Sequence, residues 1–210
     1  MEKDFHKEFK GSVKFFLTKL VKKYEIPINE IEELNQKYEE VKDKLVGVGH
    51  RLAGRIKSEL EITNILQDLK IYKTFTECMD DYVNHSIKSE LLTNTPKNLT
   101  IITCWINDMK EGEYNPPHTH NEGKGYSTVT FLKTPEQIND ITKDEHNHKY
   151  VDGKIGFIST DGERTDWVDP KVGDFFIFKA THQHCVMPFK TKIPGDIRRS
   201  MSFNFTAEDR

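Results

Sequence analysis

From Leu99 onward the chain is divided into short apolar runs that only a sheet-built core can use. Residues 99–106 (Leu-Thr-Ile-Ile-Thr-Cys-Trp-Ile) are rich in β-branched and aromatic side chains and apolar on both faces, as in a strand covered on both sides. Further runs at 126–132, 155–159, 175–178, 184–188 and 198–205 are separated by Gly, Pro, Asp and Asn clusters. Several short strands at fairly even spacing predict an all-β barrel or sandwich. The polar, charged stretch 137–148 reads as a surface insertion between two of them.

The first half has a different period. Phe5, Phe9, Val13, Phe16, Leu20 and Tyr24 recur every three or four positions and predict an amphipathic helix over 4–25, ended by Pro27. Asn29 stands as an N-cap with Glu32 in the capping-box position, and Ile31, Leu34, Tyr38, Val41 and Leu45 continue a second stripe up to Gly47 and Gly49. A third helix follows from Leu69, Tyr72, Phe75, Met79 and Tyr82, ending near residues 84–86, and 93–98 is loop chemistry. The expected fold class is therefore mainly β with N-terminal helices: a helical region over 1–95 packed on a β core over 96–210.

Composition narrows the function classes. Lys and Arg number 31 against 34 Asp and Glu, a formal charge of −3, so no general electrostatic drive toward nucleic acid or an anionic membrane exists. No run approaches the roughly 20 apolar residues of a membrane span, and the first residues lack a signal-peptide apolar core, so a cytoplasmic protein is expected. Cys78, Cys104 and Cys185 are odd in number and widely spaced, which argues for reduced core residues over a disulfide framework or a zinc knuckle.

Six of the nine histidines form three His-x-His pairs in the β half. In an extended strand alternate side chains share a side, so His118 and His120, behind Pro116 and Pro117, can grip one divalent ion. His146 and His148 lie in a charged stretch with no apolar neighbours to orient a site, and read as solvated loop. His182 and His184 follow a turn and the buried run 175–178; His184 is the better third ligand. In Arg198-Arg-Ser-Met-Ser-Phe-Asn204, Arg198, Ser200 and Ser202 share one strand face, and a guanidinium with hydroxyl neighbours matches a carboxylate. Arg199, on the other face, is expected in a surface ion pair. Trp105, Asn107 and Tyr126 are candidates to line a pocket.

Pro117-His-Thr-His120, residues 127–132, His184-Cys-Val-Met-Pro188 and Arg198-Arg-Ser-Met-Ser-Phe-Asn204 together resemble the non-haem iron, 2-oxoglutarate-dependent oxygenases, more narrowly members from bacteria and marine bacteriophages with H-x-H, H-x-V-x-P and R-x-S-x-S-x-N. The resemblance covers about 99–205 and touches the first half only through Leu52-Ala-Gly54. It implies a double-stranded β-helix (jelly roll) supported by N-terminal helices. It also implies Fe(II) held by His118, His120 and His184, with Arg198 and Ser200 on the 2-oxoglutarate.

One departure stands out: most of that superfamily has a carboxylate in the place of His120. Either the centre is three-His, or the frame moves by two residues and His120, Glu122 and His184 form it. The implied reaction is a dioxygenation, commonly a hydroxylation, that consumes 2-oxoglutarate and O₂ and releases succinate and CO₂. The primary substrate is unidentified, neither membrane nor nucleic acid is expected as a partner, and a homo-oligomer is open. Two alternatives remain at this point. One is a cupin-type metal enzyme without 2-oxoglutarate, whose first motif wants a glutamate where Lys124 and Gly125 stand. The other is a non-catalytic barrel module with a degenerate site.

Overall fold

The computed structural model describes residues 12–16, 19–89, 97–120, 125–136 and 151–209. Eight strands run from the middle of the chain to its end: β4 (Lys97–Met109), β5 (Asn115–His118), β6 (Tyr126–Lys133), β7 (Ile155–Ile158), β8 (Thr165–Val168), β9 (Asp174–Lys179), β10 (His184–Val186) and β11 (Arg198–Asp209). They form two antiparallel sheets, one containing the order β9-β6-β11-β4 and the other β5-β10-β7-β8. The chain crosses from sheet to sheet as it proceeds, which is the winding of an eight-stranded jelly roll. The fold class expected from the sequence is the one observed.

The larger sheet continues past this core at both edges. Beyond β9 stand β2 (Lys19–Glu25) and β1 (Ser12–Phe16), and beyond β4 stands β3 (Glu59–Glu61). This corrects the helix expected over 4–25. The described part of that segment is a hairpin whose second strand pairs Val21 with Phe178 and Tyr24 with Phe175. Within β2 the side chains alternate: Lys22 and Tyr24 both reach Asp81, while Val21 packs between the sheets. Residues 1–11 and 17–18 lie outside the described residues.

Two long helices cover the outer face of the larger sheet, α1 (Ile28–Val41) and α3 (Lys70–Ser89), with a single turn α2 (Thr63–Leu66) between them. Ile31, Leu34 and Tyr38 of α1 and Phe75, Met79 and Tyr82 of α3 are the buried stripe foreseen from their spacing. The expected cap is not observed. Pro27 occupies the N-cap position and its carbonyl accepts from the Glu30 and Ile31 amides, so Asn29 lies inside the first turn and caps nothing. The second stripe also ends early, α1 giving way to a short 3₁₀ turn over Lys42–Lys44.

Period-two alternation then divides the central strands of the larger sheet between two cores. Cys104 and Ile106 of β4, Phe175 and Ile177 of β9, and Met201, Phe203 and Phe205 of β11 face the helices. Val129, Phe131, Phe176 and Phe178 face inward and meet Ile155, Phe157 and Val186 of the smaller sheet. This two-sided burial is why the strand sequences read as continuous apolar runs. Arg199 is a second correction. It is 4% exposed, on the helix side of β11, and donates to Asp108 at 2.6 and 2.9 Å, to Glu39 at 2.6 Å and to the Asn35 side-chain Oδ1 at 3.1 Å, over the Tyr38 ring. It is a buried tie between β11, β4 and α1, not a surface pair, because its alternation directs it under α1.

Candidate active site

The inward face of the larger sheet turns polar at one end. There β4 presents Thr103, Trp105 and Asn107, and β11 presents Arg198, Ser200, Ser202 and Asn204, all lining a cavity of about 460 Å³ between the sheets. Glu59 and Glu61 of β3, His118 and His184 of the smaller sheet, and His120 just past β5 complete it. Trp105 and Asn107, two of the candidates to line a pocket, are therefore cavity residues. Tyr126 is not among the lining residues: its ring packs on Phe205 and Tyr82 on the helix side.

The prolines fix where the first histidine sits. Pro116 and Pro117 cannot donate to a ladder, and β5 is an edge strand, paired among the described strands with β10 alone. That pairing puts His118 opposite His184. β5 stops at His118, so His120 owes its place not to a strand face but to its backbone amide, which donates to the Ala180 carbonyl at 2.9 Å. Ala180 in turn donates to the Gly125 carbonyl.

His118, His120 and His184 bring one ring nitrogen each to within 4.8 Å of one another. His118 donates from Nδ1 to the Pro116 carbonyl at 2.7 Å, and His184 from Nδ1 to the His182 carbonyl at 2.9 Å. Carbonyls only accept, so both rings are held in the tautomer that leaves Nε2 unprotonated and free to ligate. His120 Nε2 lies 3.1 Å from His184 Nε2. Two imidazole nitrogens each about 2.1 Å from one ion and at right angles across it stand about 3 Å apart, so this separation suits a shared first-row cation.

Burial lowers the proton affinity of all three rings. It holds His118 below the usual imidazole value, takes His120 down to about 4 and His184 well below the ordinary range, with the neighbouring rings adding to the effect on the last two. All three are neutral at pH 7, as ligands must be. His182 is buried edge-on against Phe157 and serves the cluster through its carbonyl. Glu122, the alternative ligand, and His146 and His148, the loop pair, lie outside the described residues.

Arg198 is the second unusual group. Its side chain is 1% exposed, its Nε has no hydrogen-bond partner, and its polar contact is Met109 Sδ at 3.7 Å. The guanidinium lies 4.9 Å over the Phe131 ring. Burial alone draws its pKa down to about 9, leaving a cation at neutral pH with no ion-pair partner among the described residues. Such a charge is costly unless something pairs with it. Ser200, next but one on β11, faces the same cavity.

Sequence reasoning missed Glu59. It is the cross-strand partner of Asn107 on a three-residue strand, and the only trace in the sequence is the Glu-Leu-Glu alternation at 59–61. Asn115, whose side chain also lines the cavity, was visible only as the first residue of the histidine stretch.

Residues 103–204 match the family model described as "Putative 2OG-Fe(II) oxygenase", a span holding all three histidines and Arg198. No curated protein matches the chain significantly. Solved structures of similar fold include a Pseudomonas putida prolyl-4-hydroxylase, 15% identical with a TM-score of 0.55 over 97% of this chain and 95% of that one. A viral collagen prolyl hydroxylase from Paramecium Bursaria Chlorella virus-1, solved with 2OG, is 11% identical with a TM-score of 0.57 over 90% and 96%. A Trichoplax adhaerens prolyl hydroxylase, in complex with a hypoxia inducible factor peptide fragment, is 14% identical with a TM-score of 0.53 over 85% and 78%. At these identities the likeness is one of fold. Across its barrel the chain is therefore similar in sequence to the 2OG-Fe(II) oxygenases, a family that uses Fe(II) and 2-oxoglutarate, and it shares their fold.

Proposed function

We propose that the protein is a 2-oxoglutarate- and Fe(II)-dependent dioxygenase in which His118, His120 and His184 hold the metal and Arg198, with Ser200 beside it, holds the far carboxylate of 2-oxoglutarate. The observation that carries this reading is the pairing of three converging imidazoles with a buried guanidinium, whose Nε has no hydrogen-bond partner, in one cavity. The chemistry that Fe(II) and 2-oxoglutarate supply when bound is oxidation by O₂, one oxygen atom going into succinate as CO₂ leaves and the other into the substrate, as a hydroxyl group.

The chain's own residues bind, orient and exclude. Arg198 can offer two parallel N–H donors to a carboxylate, a geometry lysine cannot reproduce. Its position on a sheet strand, seated on Phe131, fixes the direction of approach. Trp105 lies against His120 with ring centres 5.9 Å apart, which limits the ring's rotation and keeps water from that side.

Incubating the protein with Fe(II), ascorbate, O₂ and 2-oxoglutarate tests the proposal. Uncoupled turnover to succinate, followed by proton NMR, is expected even without the primary substrate. Absence of succinate from a protein shown to bind both Fe(II) and 2-oxoglutarate would overturn the catalytic assignment.

A further inference from the structure

Across the cavity from Arg198 stands a group of opposite charge that also has a buried polar atom without a partner. Glu59 is 3% exposed; no hydrogen bond reaches its Oε2, and no ion pair among the described residues involves it. Burial, with the Glu113 charge adding to it, pushes its pKa up to about 7. A carboxyl is not kept dry and unpaired for packing, since an apolar side chain would fill the same space at lower cost.

Its neighbours are also acceptors without donors. Asn107, 6% exposed, is its cross-strand partner, and the Asn107 Oδ1 has no hydrogen bond. Asn115 Oδ1 is in the same condition. A Cβ on Gly54 would lie 2.1 Å from Asn115 Oδ1 and 3.1 Å from Glu59 Oε1, so the two oxygens lie within the sum of those distances of each other. Gly54 leaves the room in which they converge. The amides can turn either end toward a ligand, so the sign of the site is set by Glu59.

Among the described residues, the other charges that line the cavity do not satisfy it. Arg51 lines the cavity but its Nε donates to His50, and Glu61 accepts from the Thr63 hydroxyl. The rung Glu59–Asn107–Ser200 crosses β3, β4 and β11, so Glu59 stands two strand spacings, about 10 Å, from Ser200.

We infer that the β3 side of the cavity is a substrate subsite for a cationic nitrogen group, a primary ammonium or a guanidinium, paired by Glu59 with Asn107 and Asn115 alongside. The inference rests on the reading above, in which the Arg198 end is taken by 2-oxoglutarate. A cavity of about 460 Å³ shared by two ligands leaves space for a small amine or a single basic side chain.

The test uses matched probes on the full chain. n-Butylguanidinium, n-butylammonium and the uncharged n-butylurea are titrated calorimetrically at about pH 8, above the Glu59 value of about 7. The wild type is expected to prefer the cations by roughly tenfold or more, the size of a charge-assisted pair in a dry site. Glu59→Gln should reduce that preference to about twofold or less, and Asn107→Leu should weaken cation binding while leaving the preference over butylurea. Equal binding of butylurea and the cations by the wild type overturns the inference, as does an undiminished preference in Glu59→Gln; should that variant not fold, Asn107→Leu binding the cations as the wild type does overturns it. 2-Oxoglutarate is titrated into the same Mn(II)-loaded protein. If it binds and the cations do not, this inference alone falls; if it does not bind, the dioxygenase reading falls.

Discussion

Replacing Arg198 by Met should make the protein more stable and a poorer binder of 2-oxoglutarate at once. The guanidinium is 1% exposed, with no ion-pair partner among the described residues and its pKa drawn down to about 9 by burial. Removing such an ion from water costs several kcal/mol, of which its position over Phe131 returns about 1–2. Methionine fills the slot without a charge, so the unliganded protein should gain on the order of 1–3 kcal/mol, or a few degrees in Tm for a chain of this size. The same change removes a bidentate carboxylate contact of roughly 1.5–3 kcal/mol, weakening 2-oxoglutarate about ten- to a hundred-fold. Arg198→Lys should fall between, keeping the charge without the fork. Urea unfolding of the unliganded protein and calorimetric titration of 2-oxoglutarate into the Mn(II) form read the two effects separately. A variant less stable than wild type with unchanged affinity would refute the reasoning, because Arg198 would then be a packing residue.

The neighbouring arginine should behave in the opposite way. Asp108→Ala leaves Arg199 buried without its principal partner and should cost about 3–5 kcal/mol in urea unfolding, with no change in 2-oxoglutarate affinity. Glu59 gives a pH signature. Its folded pKa of about 7 is raised above the ordinary carboxyl value of 4.5, so the folded state holds more protons in that interval, and the stability this confers is lost as pH rises through it. Thermal unfolding of Glu59→Gln against wild type should show that slope flattened; an identical slope would mean the carboxyl is not buried. Gly125 has φ +79°, and a Cβ there would meet the Phe205 carbonyl oxygen at 2.4 Å. Gly125→Ala should therefore cost more than about 1 kcal/mol and loosen the Ala180 link that seats His120, read as weaker Mn(II) binding.

What the sequence revealed was whatever rests on alternation. Arg198 and Arg199 were assigned to opposite faces from their order alone, and the structure puts one in the cavity and the other under α1. The strands β4, β6, β7, β9, β10 and β11 were legible because β-branched and aromatic residues filled them and Gly or Pro bounded them. The hairpin β1–β2 was not. Val13, Phe16, Leu20 and Tyr24 fit a helical stripe as well as a strand, and the pairing of β2 with β9 joins segments some 150 residues apart, which no local pattern records. β8, Thr-Asp-Trp-Val, was too short and polar to stand out. Glu59 went unseen for a related reason. A three-residue strand has almost no periodicity, and the value of its carboxyl lies in the missing partners, a property of the folded cavity.

The account rests on one centre in which three histidines and Arg198 act together, and anaerobic absorption spectroscopy tests that directly. Adding 2-oxoglutarate to the Fe(II) protein should produce a charge-transfer band that saturates at one equivalent of each. The band should vanish in His184→Ala and persist in His146→Ala and His148→Ala. A band that survives His184→Ala and is lost with the two loop histidines would contradict the assignment of the metal centre.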